Sequence, residues 1–258
     1  MEADALEVIR SRRPEAGVLV DFDGTLSEIA PTPEEARPVP GAGRALAALA
    51  RSFATVAVVS GRRAAEVAAL LGHPAGVRCF GLYGLEDDRG PVDRAAVGLV
   101  DRIEGLLPEV ERAVAGVPGA RIEPKGLQVA VHYRGTADPE WARRTLADRL
   151  RAVAAPAGLR VLEGKKVLEL APDGGPTKGD VVERLARDLG LRAVLYAGDD
   201  LADRNAFAAV DRLRAGGVDG VKVAVRSAET PEDLTAAADV VVEGPVGLVD
   251  LLMWLSRR

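Results

Sequence analysis

One cysteine, Cys79, in 258 residues excludes an internal disulfide and gives no sign of an oxidising compartment. Aromatic residues make up 3% of the chain. The core must therefore be aliphatic, and a stacking platform for nucleobases is not expected. Basic residues are in the minority, 34 Lys and Arg against 39 Asp and Glu, for a net charge of −5. That balance argues against the basic surface that nucleic acid or an anionic membrane requires. No window is long and apolar enough to span a bilayer, and the opening MEADALEVIRSRR lacks the apolar stretch of a secretion signal. The expectation is a cytoplasmic protein, a monomer, whose partner is a small molecule.

What the chain does have is 48% apolar residues, ample for a core, and short β-branched runs alternating with amphipathic stretches at both ends. Strands are predicted at 17–22, 55–59 and 77–82 with helices at 41–52 and 64–71 between them, a βαβαβ order that implies a parallel sheet. The pattern resumes after Lys178: helices at 180–189, 202–210 and 246–255, strands at 193–197 and 221–225, and a short strand near Val240. The middle differs. A helix at 95–115, with a break expected at Pro108, is followed by paired runs at 120–125 and 127–134 about Gly126, a helix at 139–154, and a second pair at 159–163 and 166–170. This αββαββ unit reads as an insertion at 89–173 into a core formed by 1–88 and 174–258.

Four segments fall at the carboxyl ends of predicted core strands or at helix starts, where open α/β folds collect their ligands. Asp21-Phe22-Asp23-Gly24-Thr25 puts two carboxylates two positions apart before a tight turn, so that one acid can attack while the other handles protons. Ser60-Gly61-Arg62 follows the run 56–59 and opens a helix, suiting an anion, although a helix cap is the plainer role for Ser60 alone. Lys178 is a cation in the first turn of a helix, against the macrodipole, and something negative belongs beside it. Taken alone, it reads as a solvated surface lysine. Asp199, Asp200 and Asp203 crowd three carboxylates after a strand, an arrangement that suits Mg²⁺ or, for one of them, helix capping.

The order Asp-x-Asp-Gly-Thr, Ser, Lys, Gly-Asp-Asp resembles the haloacid dehalogenase superfamily of phosphohydrolases. Asp21 and Ser60 are 39 residues apart (60 − 21), too few for a cap domain, whereas Ser60 and Lys178 are 118 apart (178 − 60), which puts the cap there, as the second (C2) type. Finer matches resemble trehalose-6-phosphate phosphatases: 21–29, Ser60-Gly61-Arg62, Gly84-Leu85-Glu86, Glu123-x-Lys125, His132-Tyr133-Arg134, Glu169-Leu170, Lys178-Gly179, and Gly198-Asp199-Asp200 with Ala206-Phe207. The chain departs from them at 202–205, which keeps only Asp203 of the usual Thr-Asp-Glu, at Tyr83 where many members have His, and at Ala171 where many have Arg.

The resemblance implies an α/β, Rossmann-like core with an inserted α+β cap, and a Mg²⁺-dependent phosphatase for a sugar phosphate. It implies Asp21 as nucleophile, Asp23 as acid and base, and Lys178, Thr25, Ser60, Gly61 and Arg62 around the phosphoryl oxygens. Asp21, Asp23, Asp199, Asp200 and Asp203 are implied at the metal. Two neighbouring acids with these roles need environments that keep one ionised and the other protonated. On the cap, Glu123 with Lys125 and His132 with Arg134 lie two apart on predicted strands, so each pair shares a face. That face is either solvated or, as the resemblance implies together with Glu169, in contact with the sugar. Alternatives are a phosphatase for sucrose phosphate or a glucosyl- or mannosyl-glycerate phosphate, and a non-catalytic sugar-phosphate-binding regulatory module. A trehalose-6-phosphate synthase is a further partner to consider.

Overall fold

The computed structural model describes residues 2–92 and 97–257. It divides into two compact units, residues 1–90 with 176–258 and residues 91–175, each boundary two residues later than the sequence patterning puts it. The first stretch of the chain forms α1 (Glu2–Ser11), β1 (Ala16–Val20), α2 (Ala42–Leu49), β2 (Thr55–Val59), α3 (Ala64–Leu70), β3 (Val77–Gly81) and the two-residue strands β4 (Glu86–Asp87) and β5 (Gly90–Pro91). The second unit follows with α4 (Val97–Val114), β6 (Arg121–Pro124), β7 (Val129–His132), α5 (Pro139–Ala154), β8 (Leu159–Gly164) and β9 (Val167–Pro172). The chain then completes the first unit with α6 (Lys178–Asp188), β10 (Ala193–Gly198), α7 (Asp203–Ala215), β11 (Asp219–Arg226), α8 (Glu232–Ala237), β12 (Val240–Glu243) and α9 (Gly244–Ser256).

The first unit holds one sheet in the order β12-β11-β10-β1-β2-β3-β4-β5. Its pairs from β12 to β3 are parallel and β4 is antiparallel to β3. Strands β1, β2 and β10 are buried along their whole length, which is why they read as continuous apolar runs rather than alternating ones. Alternation decides which helix each side chain meets. Val18, Val20, Val56 and Val58 pack in one cluster with Leu6 and Ile9 of α1, Leu46 and Leu49 of α2, and Leu248 and Leu252 of α9. Leu19, Ala57, Val59 and Tyr196 pack in the other with Val182 and Leu185 of α6 and Phe207 and Val210 of α7. From β1 the chain winds outward to β3 on one side and, on its return, from β10 to β12 on the other. The switch point therefore lies between β1 and β10, where such folds place their ligands.

The second unit is a four-stranded antiparallel sheet in the order β6-β7-β9-β8. The expected break at Pro108 does not occur: α4 runs through it, because Leu99, Ile103, Val110 and Val114 hold one buried stripe and packing outweighs the lost donor. Residues 95 and 96, also expected in this helix, lie outside the described residues. Among the described residues no helix is long and apolar enough to cross a membrane.

Candidate active site

Asp21 follows β1 directly, and its backbone N–H still donates to the Ala197 carbonyl of β10 (2.9 Å). The nucleophile candidate is thus fixed to the sheet at the switch point. Gly24 turns the chain with φ 85°, and a Cβ there would lie 2.1 Å from the Asp199 carboxylate, so the two motifs meet only because residue 24 has no side chain. Thr25 is fully buried and its hydroxyl donates to Asp199 Oδ1 (2.8 Å). Expected on the phosphate, this hydroxyl is engaged in fixing a carboxylate.

Lys178 is the first residue of α6, behind a capping box in which Asp180 N–H donates to Thr177 Oγ1 and Thr177 N–H donates to Asp180. Its ammonium is 2.9 Å from Asp21 Oδ1, 2.8 Å from Asp203 Oδ1 and 3.7 Å from Asp200 Oδ1. These carboxylates are the negative partners that its position against the helix dipole demanded. Burial works against the lysine's charge, yet Asp200, Asp203 and Asp21 together raise it well above the ordinary lysine range, so it stays protonated. For Asp21 burial dominates and, with the repulsion of Asp203 and Asp200, pushes the carboxyl well above its ordinary value against the pull of Lys178.

Asp203 has no lone-pair position to spare. Oδ1 accepts from Lys178 Nζ and the Tyr196 hydroxyl (2.8 and 2.7 Å), and Oδ2 accepts from the N–H groups of Asp199 and Asp200 (2.8 and 2.9 Å). Burial opposes its charge, but Lys178 and these donors hold it below the ordinary carboxylate value. Gly198 completes the arrangement, since a Cβ there would lie 2.2 Å from Asp203 Cγ. Asp200 in turn accepts from the N–H groups of Ala202 and Asp203 at the start of α7, the capping role foreseen for one of the three.

Carboxylate oxygens of Asp21, Asp200 and Asp203 lie within 4.8 Å of one another, and Asp199 is tied to the group through Thr25 and its own N–H. Lys178 is shared among Asp21, Asp200 and Asp203, so Asp21 needs further positive charge to stay ionised, and hard oxygens at this spacing fit a divalent cation. Asp203, with all its lone pairs taken, is the least available of them.

Ser60 directly follows β2 but does not cap α3, which begins four residues later at Ala64. Instead, Arg62 N–H donates to Ser60 Oγ (3.1 Å), and the first turn of α3 is capped from a distance by buried Glu86, whose Oε1 accepts from Ala64 N–H (2.8 Å). The Arg62 guanidinium, expected on the phosphate, makes a two-pronged ion pair with Asp23 and pairs with Glu66 on its other side.

In the second unit, strand register sets Glu123, Ala130 and Glu169 in one row and Arg121, His132 and Val167 in the row two positions along, so Glu123, His132 and Glu169 share a face. Glu123 Oε2 is 2.7 Å from His132 Nε2, and buried Lys125 pairs with buried Glu169 at 2.9 Å. The hairpin strands are shorter than expected. Lys125 and Arg134 lie just beyond them, Lys125 N–H closing the turn onto the Gln128 carbonyl (2.8 Å) and Arg134 donating to the Lys165 carbonyl (3.4 Å).

A family model described as trehalose-phosphatase matches residues 19–241. The chain belongs to the trehalose-phosphatase family. The trehalose-phosphate phosphatase of Mycobacterium avium is 38% identical over 236 residues, 85% of this chain and 57% of its own length. An uncharacterized glycosyl hydrolase of Mycobacterium tuberculosis is 36% identical over 271 residues, 98% of this chain but 19% of its own length. The chain thus spans little more than half of the first relative and a fifth of the second. The C-terminal domain of Candida albicans trehalose-6-phosphate phosphatase superposes with a TM-score of 0.83 at 22% identity, over 99% of this chain and 96% of that one. The fold is the α/β core with an inserted cap of the haloacid dehalogenase-type phosphatases.

Sequence reasoning assigned no role to Tyr196 or Glu86. Tyr196 carries the one hydroxyl in the buried run of β10 and had to find a partner there; Glu86 gave no local signal, because the helix it caps begins 22 residues earlier.

Proposed function

We propose that this chain is a Mg²⁺-dependent phosphatase that hydrolyses trehalose 6-phosphate to trehalose and phosphate. The observation that carries the reading is the Lys178–Asp21 ion pair at the β1/β10 switch point, two residues from Asp23. Asp21 attacks phosphorus; the bond to the sugar oxygen breaks, and Asp23 gives that oxygen its proton, leaving an aspartyl-phosphate on residue 21. Asp23, now a carboxylate, takes a proton from water as the resulting hydroxide attacks phosphorus, releasing phosphate and restoring Asp21. Lys178 stays charged throughout, and Ser60 and Gly61 hold phosphoryl oxygens with it. Arg62 orients Asp23, and Asp203 fixes Lys178.

Asp21, the Asp23 carbonyl, Asp199 and Asp200 are the groups suited to hold Mg²⁺. Neutralisation of phosphoryl charge is what the bound ion supplies. Glu123, Lys125, His132, Arg134 and Glu169 are proposed to bind the sugar, a reading supported by a polar face built from paired acids and bases. A monomer in the cytoplasm with a small sugar phosphate as partner is proposed, in keeping with a single cysteine and without a basic surface for nucleic acid or membrane, and no synthase is needed for the chemistry. A phosphate-release assay with and without Mg²⁺ tests the reading, across trehalose 6-phosphate, sucrose phosphate and glucosyl- and mannosyl-glycerate phosphates. Preference for another sugar overturns the substrate, and no turnover of any overturns the enzyme in favour of a regulatory module.

A further inference from the structure

Three consecutive residues, Leu82, Tyr83 and Gly84, have left-handed backbone, with φ of 52°, 59° and 106°. Leucine and tyrosine rarely adopt this conformation, and where surrounding structure enforces it a functional constraint is the first thing to seek. Here the surroundings do enforce it. Both side chains are buried, and three backbone hydrogen bonds lock the turn to the Ser60–Arg62 loop. Ser60 N–H donates to the Phe80 carbonyl (2.9 Å), Leu82 N–H to the Arg62 carbonyl (2.9 Å) and Tyr83 N–H to the Ser60 carbonyl (3.0 Å).

Two close approaches show what the turn is wedged between. The Tyr83 phenol lies over Gly61, where a Cβ would come within 2.8 Å of Oη and 3.0 Å of Cζ. On the other side Gly84 abuts α6, where a Cβ would come within 2.5 Å of Val181 Cγ2, three residues on from Lys178. The loop carrying Ser60 and the helix carrying Lys178 are thus held apart by one strained, tightly packed spacer.

We propose that Tyr83 is a positioning residue for anion binding: its ring, presented by the left-handed turn, sets the Ser60–Arg62 loop at a fixed distance from Lys178. This rests on the reading of that loop and Lys178 as the phosphate site. Donors to a phosphoryl group act best when already in place, so a loop free to drift must be ordered anew at each binding event. Glycine at 61 follows from the same packing, since any side chain would push against the ring.

The test measures binding of inorganic phosphate, with Mg²⁺ present, by calorimetry on Gly61→Ala, Tyr83→Ala, Tyr83→Phe and the Gly61→Ala/Tyr83→Ala double variant, after thermal denaturation shows which are folded. Gly61→Ala is expected to weaken phosphate about tenfold and Tyr83→Ala about threefold. The double variant should be no weaker than Gly61→Ala alone, because removing the ring makes room for the added methyl, while Tyr83→Phe keeps the ring and retains phosphate affinity within about twofold. Losses that multiply to about thirtyfold in the double variant overturn the proposal, as does a Tyr83→Phe loss equal to that of Tyr83→Ala, which would make the hydroxyl a direct ligand. If Gly61→Ala does not fold, the comparison of Phe with Ala at 83 decides. Because the probe is phosphate, failure on trehalose 6-phosphate with these couplings intact sinks the proposed substrate and leaves this inference standing.

Discussion

Arg62 grips Asp23 with both arms of its guanidinium, Nε 2.7 Å from Oδ2 and Nη2 2.9 Å from Oδ1. The fork is itself immobilised: Glu66 holds its far side, the ring of Phe22 lies 5.5 Å beneath it, and the arginine side chain is only 8% exposed. A planar, doubly bonded partner fixes the plane of a carboxylate as well as its place. Arg62 therefore sets the orientation of the Asp23 carboxylate. Asp23→Asn is expected to lower kcat on trehalose 6-phosphate about a hundredfold or more, and Arg62→Ala about tenfold. Both should leave the first-turnover burst of p-nitrophenolate from p-nitrophenyl phosphate within about threefold, since that phenolate departs without a proton, while steady-state turnover still falls because hydrolysis of the aspartyl-phosphate needs Asp23 as base. A first-turnover loss for Arg62→Ala that is equal on both substrates would indicate that the arginine holds phosphate instead.

Asp21→Asn removes the attacking oxygen's charge while keeping the shape of the side chain. Turnover should fall by at least about a thousandfold, with the thermal unfolding midpoint no lower than wild type, because the raised proton affinity of buried Asp21 marks its charge as a cost to the fold. Near-normal phosphate release would remove it as nucleophile.

Asp203 is where stability and function meet. Tyr196→Phe deletes one donor to a buried charged group and should cost about 1.5–3 kcal/mol in urea unfolding. Asp203→Asn should cost about 3–5 kcal/mol, since buried Lys178 loses its shortest ion pair. A Tyr196→Phe loss under about 0.5 kcal/mol would show that its hydroxyl is not needed to hold Asp203.

On the second unit, Glu123→Ala is expected to raise KM for trehalose 6-phosphate at least about tenfold and leave that for a small aryl phosphate within about twofold, as a group that touches only the sugar should. Parallel losses on the two substrates would assign Glu123 to the fold through His132.

Cys79 gives a pH prediction with a definite sign. Burial, helped by the charge of Asp88, pushes the thiol up to about 11, so at pH 8 only about one molecule in a thousand carries the thiolate. A disulfide reagent at that pH should leave the native thiol untouched for hours and titrate it at once in denaturant, native reactivity rising only as pH approaches 11. Rapid native reaction at pH 8 would contradict the burial.

The parallel core was legible because strands covered on both faces leave no choice but runs of Val, Leu and Ala, as at Val56–Val59. Lys178 was legible as an anomaly, a cation at the wrong end of a helix; that its neighbours are Asp21, Asp200 and Asp203 needed the strand order, which adjacent positions in a sequence do not carry. The helix α1 was missed, since its contribution to the core is slight: Leu6 and Ile9 are buried there, with Ala5 partly buried against them. The left-handed turn at Leu82 and Tyr83 was invisible for a stronger reason: it breaks the local rule that glycine or asparagine marks such backbone, and tertiary contacts alone impose it. Arg62 was assigned to phosphate because its partner lies 39 positions away, across two neighbouring strand ends.

Register along β1 and β10 sets Val20 beside Ala197, with the whole second unit strung between them in the chain. Whatever is inserted between Gly90 and Pro176 departs from this sheet and rejoins it without entering the ladder that aligns the carboxylates. An excursion of that kind can lengthen, shrink or be exchanged while Asp21 and Lys178 keep their spacing. The size and make-up of the second unit are thus free to vary without disturbing that pair.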